Sequence, residues 1–243
     1  MTWVPVPTAS IAGSFKQTTS QTPNWKVWTI QLNLPVTADG LFGPLTAAAV
    51  KKFQTDQGFA LADRDGIVGP QTQRALVIAR SASASSQYTL PAGLLSSVSW
   101  SETGYYIPAT SGLTYDGGRD YGAYQEHRLN PSEAQLIASY RIAVAAATTA
   151  ERLRRIKNKF FTGAIYTAAK THENAWKFAA LYHNWQHAAE RLAQGKTIYL
   201  APGSDDQPKQ WIIDATNGRL QTPNQWVAEQ IEKKTAFVTN WTP

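Results

Sequence analysis

The sequence predicts a mainly α protein in two parts, a small three-helix domain followed by a larger, mainly α domain. An eleven-residue pattern occurs twice at an offset of 26 residues, which indicates two equivalent structural units. Apolar residues recur at three-to-four spacing through the longer segments, as they do on buried helix faces. Residues 81–87 are mostly small and polar, and they separate the repeat from the rest of the chain.

The composition is that of a globular protein with a basic balance. With 43% hydrophobic and 16% charged residues, the 243-residue chain can bury two cores. Its formal charge of +6 and pI near 9.5 favour an anionic partner, such as nucleic acid, a membrane surface or an acidic cell wall. Both parts carry an excess of basic residues. Residues 1–87 hold seven Lys or Arg against four Asp or Glu, and residues 88–243 hold sixteen against thirteen.

Composition also argues against several classes of protein. No apolar run approaches the ~20 residues that a transmembrane helix needs, so we expect no stable membrane insertion. The absence of cysteine excludes disulfides, a thiolate nucleophile and Cys-based zinc sites. Residues 1–7 have neither the basic nor the continuous apolar character of a secretory signal, so we expect the protein to be made and held in the cytosol.

The repeat follows a Thr-, Ser- and Pro-rich lead-in over residues 1–23. Residues 39–49 (DGLFGPLTAAA) return as residues 65–75 (DGIVGPQTQRA), with six identical positions. Asp-Gly predicts a tight turn in each copy, and Gly-Pro predicts a helix with proline in its first turn. A helix over residues 25–34 completes a three-helix unit with its core over residues 24–78.

These motifs resemble the bacterial peptidoglycan-binding module. The matching stretches are Ile30–Leu32, Asp39–Thr46, Ala49–Gln54, Gly58–Phe59 and Asp65–Leu76. The resemblance implies a small helical domain whose partner is bacterial peptidoglycan and not nucleic acid. A longer charged turn over residues 62–65 departs from the family's pattern at the second copy.

Residues 81–87 (SASASSQ) predict a flexible linker, because small polar residues favour an irregular chain. The predicted domains are therefore residues 1–80 and residues 88–243. The second domain, of ~155 residues, has the size of a typical single domain.

The second domain contains the stretch in which we place the chemistry, residues 90–104. The apolar stripe of a buried helix is predicted by Leu94, Leu95, Val98 and Trp100. Gly104 predicts the end of that helix, which puts Glu102 in its last turn, beside Trp100 and ahead of two tyrosines. A carboxyl group against aromatic rings loses hydration, which raises its pKa and suits a general acid.

Further helices are predicted over residues 131–148, 149–161, 172–194 and 223–234. Between these and the first helix, residues 110–124 are rich in turn residues and hold Asp116 and Asp120. Arg and Lys cluster over residues 152–159 beside the apolar stripe of Leu153, Ile156 and Phe160. That arrangement is typical of the solvated face of an amphipathic helix.

Three motifs resemble the transglycosylase-type branch of the lysozyme-like superfamily: Ser101–Gly104, Gly122–Gln125 and Ala179–Asn184. The resemblance implies a lysozyme-like α (α+β) domain in which Glu102 is the catalytic acid. It also implies that substrate is bound by Tyr124, Gln125, Tyr182 and Asn184. Thr103 departs from the family's first motif, and His183 interrupts the third. An alignment that takes His183–Trp185 as the third motif stays open.

Other catalytic chemistries find less support in the sequence. His183 and His187 have the i, i+4 spacing of a zinc-binding helix, but Asn184 stands where a metallopeptidase needs its glutamate base. No other strong ligand set and no Gly-x-Ser-x-Gly nucleophile motif occurs in the sequence. We therefore expect neither a metal nor another cofactor.

Together the resemblances imply a modular bacteriophage-type endolysin. Such an enzyme cleaves the β-1,4 bond between N-acetylmuramic acid and N-acetylglucosamine, here as a lytic transglycosylase with Glu102 as general acid and base. A hydrolytic muramidase would instead need a second carboxylate, for which Asp116 and Asp120 are the candidates. A non-catalytic wall-binding or virion structural protein is the other alternative. We expect a monomer that stays in the host cytoplasm until release, with a tail-associated lysin as the alternative setting.

Overall fold

The structure, a computed structural model, describes residues 14–184 and 186–195. It is mainly helical, at 55% helix with few strands, which confirms the predicted fold class. The helices of the described residues are α1 (Trp25–Gln31), α2 (Pro44–Asp56), α3 (Pro70–Gln87), α4 (Leu94–Thr103), α5 (Glu133–Tyr140), α6 (Ile142–Thr162), α7 (His172–Asn184) and α8 (Gln186–Ala193). The strands β1 (Arg119–Tyr121) and β2 (Glu126–Arg128) pair as an antiparallel hairpin. Among the helices described, none is both long and apolar enough to cross a bilayer.

The chain divides into two compact units. The first holds the described residues up to Gln87 together with Val98–Thr149, and the second holds Tyr88–Ser97 together with the described residues from Ala150 onward. The divisions fall inside α4 and inside α6. The units therefore differ in their bounds from the predicted domains, residues 1–80 and 88–243. The predicted helix over residues 223–234 lies outside the described residues.

Residues 81–87, predicted as a flexible linker, are instead the last two turns of α3. Ser81 and Ala84 are only 3% and 2% exposed, and the Ser81 hydroxyl donates to the Val77 carbonyl at 2.6 Å. These positions continue the three-to-four spacing of the buried residues Leu76 and Val77 along α3. The small side chains thus belong to a packed helix face, and composition alone did not separate that case from an irregular linker.

The helices of both repeat copies begin where the sequence predicts. α2 starts at Pro44 and α3 starts at Pro70, each directly after a glycine. Proline fits this position because the first helical N–H has no intrahelical partner and the ring fixes a helical φ. The start of each helix is thus determined by the glycine and proline at that position.

A buried glutamine from α1 holds the Asp-Gly turn of the first copy. The Gln31 Nε2 amide donates to the Asp39 carboxylate at 2.8 Å, to the Leu41 carbonyl at 3.0 Å and to the Thr46 hydroxyl at 3.0 Å. Its Oε1 accepts from the Gly40 N–H at 2.7 Å. Gln31 is 1% exposed, and its bonds to Thr46 and Gly40 are buried while those to Asp39 and Leu41 are partly buried.

The second copy reproduces the same network around a glutamine from α2. The Gln54 amide donates to Asp65 at 2.9 Å, to the Ile67 carbonyl at 3.0 Å and to Thr72 at 3.2 Å, and it accepts from the Gly66 N–H at 2.9 Å. We call these two networks the glutamine clamps. In each, the polar groups of a tight turn are satisfied by one side chain from the preceding helix.

The turn glycines are required by the backbone. Gly40 and Gly66 both have φ of +78°, a left-handed conformation that side chains other than glycine rarely adopt. A Cβ at Gly40 would lie 3.0 Å from the Asn24 nitrogen, and one at Gly66 would lie 3.1 Å from the Ala47 carbonyl oxygen. The glycines therefore permit both the turn and the close approach of the neighbouring chain.

The first unit joins the repeat to residues 98–149 through two buried amides. The Asn33 side chain donates to the Tyr140 carbonyl at 3.0 Å and accepts from the Ile142 N–H at 2.8 Å. The Gln73 side chain accepts from the Ile107 N–H at 3.0 Å. Because buried backbone groups must be paired, these bonds make the repeat and residues 98–149 parts of one hydrogen-bonded unit.

The same asparagine explains why α5 ends where it does. The sequence predicts helices over 131–148 and 149–161, whereas α5 ends at Tyr140 and α6 runs unbroken from Ile142 to Thr162. Arg141, between them, has an extended ψ of 105°. The carbonyl and the N–H on either side of Arg141 are the two groups that Asn33 binds. At its other end α5 is capped by Ser132, whose hydroxyl accepts from the Gln135 N–H.

The second unit is built around the apolar stripe of α6. Leu153, Ile156 and Phe160 are buried, which confirms the predicted amphipathic helix. The ring of Phe160 lies 4.9 Å from that of Tyr166 and 5.8 Å from that of Tyr182. Lys157 departs from the predicted solvated face, since it is 9% exposed with its ammonium 5.2 Å from the Phe161 ring.

We expect Gln54→Ala to destabilise the protein by about 3 kcal/mol, because it leaves the buried Gly66 N–H and the partly buried acceptors of Asp65 and Ile67 without their partner. Gln31→Ala should cost a similar amount, since its clamp has the same geometry. Urea unfolding of the full chain measures both values.

The matched control is Gln71→Ala, which truncates an exposed glutamine of α3. It should change the free energy of unfolding by less than about 0.5 kcal/mol. If all three variants unfolded at the same urea concentration, the clamps would not stabilise the fold.

Candidate functional site

Helix α4 carries the candidate catalytic residue as the sequence predicts. Glu102 is the penultimate residue of α4, and Gly104 follows it with φ of 61° and an N–H that donates to the Trp100 carbonyl at 2.8 Å. This is a left-handed helix stop. The ring of Trp100 is not part of the buried stripe, because this residue is 53% exposed and lies about 200° around the helix from Val98.

The carboxyl group of Glu102 is partly buried. Its Oε1 is shielded from solvent, while the residue as a whole stays partly exposed. One oxygen therefore lies within protein, where charge is poorly solvated, and the residue can still be reached from outside. That is a suitable placement for a group that passes a proton to a bound substrate.

The first and second predicted motifs meet at the end of α4. The Thr103 hydroxyl donates to the carbonyl of Ala123 at 3.3 Å and to that of Ser99 at 3.2 Å. Thr103 is the residue that departs from the family's first motif, and here its hydroxyl ties α4 to the turn over residues 122–125. The residue that directly follows Glu102 is therefore fixed to this turn by a hydrogen bond.

Within the second motif, Tyr124 does not line a surface. It is 0% exposed, and burial raises the pKa of its hydroxyl. The sequence predicts that Tyr124 binds substrate. In the structure it belongs to the core instead, because packing encloses the whole ring. Gln125 is half-buried with φ of 49°, and its Nε2 donates to the Gly122 carbonyl at 3.0 Å.

Gly122 shows why this turn is tight. A Cβ at this position would fall 2.2 Å from the Ser139 carbonyl oxygen, and φ is 74°. No residue with a side chain fits without moving α5. The turn that carries Gln125 is thus pressed against α5.

Asp116 and Asp120, the candidates for a second carboxylate, both bind His127 on the hairpin. The Asp120 Oδ1 lies 2.9 Å from His127 Nδ1, and the Asp116 Oδ2 lies 3.0 Å from His127 Nε2. We call these three residues the histidine clip. Asp120 and His127 are also direct partners in the strand register. The sequence analysis missed His127, since only the pairing of β1 with β2 brings it between the two aspartates.

The clip shifts the pKa values of His127 and Asp116 in opposite directions. The hydrogen bonds that His127 makes to the carboxylates of Asp120 and Asp116 raise the pKa of His127 above its ordinary value of 6.5. Hydrogen bonds from Thr114, Gly118 and His127 lower the pKa of Asp116 to about 2. The charged form of His127 is therefore favoured by its two aspartate partners.

Glu126 is a further carboxylate of the first unit and is buried. It is 3% exposed, it accepts from the Thr149 hydroxyl at 3.1 Å, and it lies 3.7 Å from the Arg128 guanidinium. Arg128 compensates the buried charge and Thr149 adds a hydrogen bond, as buried ions require. With these contacts, the Glu126 carboxylate has a structural role in the fold.

The remaining predicted substrate residues belong to the second unit. Tyr182 of α7 is half-buried, and burial raises the pKa of its hydroxyl. Its ring lies 5.5 Å from the Lys159 ammonium, which binds Glu190 at 2.6 Å. Glu190 is a carboxylate that the sequence analysis did not single out, because α8 brings it to Lys159 across 31 positions.

Part of the third motif lies outside the described residues. Asn184 is the last residue of α7, but its side chain is not described, and neither are residue 185 and the side chains of His183 and His187. Among the residues that are described, no group of three or more His, Cys, Asp or Glu is placed to hold a metal ion.

Comparison with known proteins identifies the repeat. A family model described as "Putative peptidoglycan binding domain" matches residues 30–76, which hold both glutamine clamps. No curated protein matches the chain. The protein thus carries a peptidoglycan-binding domain in its N-terminal part, and peptidoglycan of the bacterial cell wall is its partner.

We expect the histidine clip to be strongest between about pH 4 and pH 6.5, from the opposite shifts of His127 and Asp116. Because the pKa of His127 is raised, its contribution is complete below 6.5 and is lost as the pH rises through the raised value. Because the pKa of Asp116 is lowered from 3.8, its contribution is complete above 3.8 and is lost as the pH falls toward about 2.

NMR titration of the His127 imidazole measures this effect. Asp120→Asn should bring the pKa of His127 down toward 6.5, since Asp120 is the largest cause of the shift. Asp56→Asn removes a carboxylate that is paired with Lys52 on α2 and should leave the His127 titration unchanged. A His127 pKa that is insensitive to Asp120→Asn would show that the clip does not form in solution.

Proposed function

We propose that the protein is an endolysin-type enzyme that degrades peptidoglycan by cleaving the β-1,4 bond between N-acetylmuramic acid and N-acetylglucosamine. The observation that carries the proposal is the position of Glu102, whose Oε1 is shielded from solvent at the end of α4. The peptidoglycan-binding domain at residues 30–76 supplies the substrate class. Glu102 acts as the general acid, and the wall-binding domain keeps it near its polymer.

The proposed reaction is lytic transglycosylation. Glu102 donates its proton to the glycosidic oxygen as the bond to the muramic acid C1 breaks. The resulting carboxylate then takes the proton of the C6 hydroxyl of that sugar, whose oxygen closes a 1,6-anhydro ring. Both steps use one carboxyl group and no water, in contrast to the carboxylate pair of hydrolytic glycosidases.

The histidine clip supports the one-carboxylate route. Asp116 and Asp120 each bind a nitrogen of His127, and hydrogen bonds lower the pKa of Asp116. A base or nucleophile for hydrolysis would have to leave this pair. Glu126 is likewise held by Arg128 and Thr149.

Two other functions have an observation in their favour. Hydrolysis by a muramidase gains support from the exposure of the clip, since the side chains of Asp116 and Asp120 are 37% and 28% exposed. A non-catalytic wall-binding or virion structural protein would need only the domain at residues 30–76. We favour an enzyme over a non-catalytic protein because only an enzyme uses the placement of Glu102, and we favour transglycosylation over hydrolysis because His127 engages both aspartates.

The setting we propose is that of an endolysin that acts as a monomer without a cofactor. It is held in the host cytoplasm and reaches the wall at release. Within the chain, the repeat binds the wall and the remainder cuts it. Because Asn33 and Gln73 bond the repeat to residues 107, 140 and 142, this division is best tested by point variants of the full chain.

We expect Glu102→Gln to lower the cleavage of purified peptidoglycan by about 100-fold or more, because the amide keeps the shape of the side chain but has no proton to donate. Binding to insoluble peptidoglycan and thermal unfolding should stay as in the parent chain. Glu151→Gln is the control, since it makes the same change at an exposed glutamate of α6. Equal activity of the parent and both variants would remove Glu102 from the mechanism.

Mass analysis of the soluble fragments distinguishes the two reactions. Transglycosylation predicts anhydro ends, which are lighter by one water than the reducing ends of a hydrolase. Asp120→Asn should then leave the cleavage rate nearly unchanged. Reducing ends together with an inactive Asp120→Asn or Asp116→Asn variant would instead establish a two-carboxylate muramidase.

A further inference from the structure

A short N-terminal segment, residues 14–21, connects the two repeat copies, and we call it the arm. The Phe15 N–H donates to the Val68 carbonyl at 3.1 Å, and the Val68 N–H donates back at 2.8 Å. Three residues on, the Thr18 N–H donates to the Phe42 carbonyl at 3.0 Å. Phe42 and Val68 occupy equivalent positions of the two copies. The arm therefore runs from one copy to the other, and it lies outside the matched residues 30–76.

The arm forms one wall of a groove of about 1240 Å³. The other walls come from residues 34–37, which follow α1, and from the first turns of α2. Arm residues 17–21, which carry hydroxyl and amide side chains, line the groove together with the aliphatic residues Leu34, Pro35, Val36, Leu45, Ala48 and Ala49. Leu45 is 82% exposed, so a large apolar side chain stands uncovered at the groove.

The lining favours a peptide over a sugar chain. Glycans are commonly held by their C–H faces on aromatic rings, yet the described residues that line the groove include no Phe, Tyr or Trp. Small aliphatic side chains provide space for methyl groups, and the amides and hydroxyls of the arm can pair with peptide bonds. The peptide stems of peptidoglycan are short, rich in alanine and acidic.

The groove offers one cation for a carboxylate of an acidic peptide. Lys52 and Asp39 are the charged residues of its lining, and the Asp39 carboxylate is already engaged by the Gln31 amide and the Leu41 N–H. The Lys52 side chain is 73% exposed while its ammonium binds Asp56 at 2.8 Å. An exposed pair of this kind holds its partner weakly, so a ligand carboxylate can share the ammonium. Residues 1–87 as a whole carry more Lys and Arg than Asp and Glu.

The second copy does not offer the same lining. The positions of Leu45 and Ala48 are taken there by Gln71 and Arg74. Arg74 interacts with the hydroxyl of Tyr105, whose pKa burial raises to about 12 against the effect of the guanidinium. The first copy and the arm therefore form a groove that the internal symmetry does not duplicate.

We propose that the groove between the arm and α2 binds the stem peptide of peptidoglycan, with its alanine methyl groups on the aliphatic lining and a carboxylate at Lys52. This inference rests on the wall-binding part of the function proposed above. It makes the arm a determinant of specificity, since residues 17–21 supply the polar wall.

Calorimetric titration of the full chain tests the proposal with two soluble probes. One is the isolated stem tetrapeptide, released from sacculi by amidase, and the other is peptide-free glycan strands. The chain carries Glu102→Gln so that the glycan is not consumed. We expect the tetrapeptide to bind and the glycan strands to bind more weakly or not at all.

Two groove variants have matched controls elsewhere in the repeat. Leu45→Glu has Leu61→Glu as its control, because both leucines are 82% exposed and only Leu45 lines the groove. Ala48→Glu, which places a carboxylate four residues before Lys52, has Ala82→Glu as its control at another exposed helical alanine. We expect each groove variant to weaken tetrapeptide binding by about tenfold or more and each control to leave it unchanged.

Pull-down with intact sacculi distinguishes a failure of the groove proposal from a failure of wall binding itself. If the chain binds sacculi but the tetrapeptide does not bind, or if groove and control variants behave alike, the groove proposal is wrong and wall binding stands. If the chain does not bind sacculi at all, wall binding itself fails. Loss of tetrapeptide binding in the groove variants alone, with thermal unfolding unchanged, supports the proposal.

Discussion

The structure of the N-terminal part depends on one interaction, the insertion of a buried glutamine amide into an Asp-Gly turn. Gln31 and Gln54 each satisfy an aspartate, a backbone N–H, a carbonyl and a threonine hydroxyl. The turns could not be buried without these partners, because an unpaired polar group away from water costs more than a hydrogen bond contributes. The aspartates benefit as well: their pKa values are lowered, at Asp39 mainly by the Leu41 N–H and at Asp65 by hydrogen bonds that outweigh burial.

The clamps also position the surfaces that face outward. Each holds the turn that precedes a helix, and the carbonyl of Phe42 and the backbone of Val68 in these turns receive the arm. The groove then forms beside the first copy because the arm and α2 meet there. The recognition surface that we propose thus combines the irregular backbone of the arm with exposed side chains of α2.

The first unit shows a second use of buried amides. Asn33 and Gln73 lie just beyond α1 and in α3, and they bond backbone groups of residues 107, 140 and 142. The peptidoglycan-binding domain is therefore not joined to residues 98–149 by sequence alone. In the function we propose, this rigid connection would keep the Glu102 helix end in a fixed relation to the wall-binding surface of the same unit.

Local chemistry made much of the architecture readable from the sequence. The Asp-Gly turns, the proline starts of α2 and α3, the Gly104 stop and the Ser132 cap all depend on a few adjacent residues. Glu102 fell in the last turn of α4 for the same reason. The repeat also identified the peptidoglycan-binding domain, because the clamp residues recur at equivalent positions in the two copies and the family model matches residues 30–76.

The sequence by itself thus determined the mainly α class, the repeat with its peptidoglycan partner, and the place of Glu102 at a helix end. Only the tertiary structure decided that residues 81–87 are a packed helix, that Tyr124 is in the core, that Asn33 ends α5 and that His127 joins Asp116 to Asp120. Each of these depends on partners distant in the chain or on a strand register. Composition and periodicity describe one segment at a time, whereas burial and pairing are properties of two segments together.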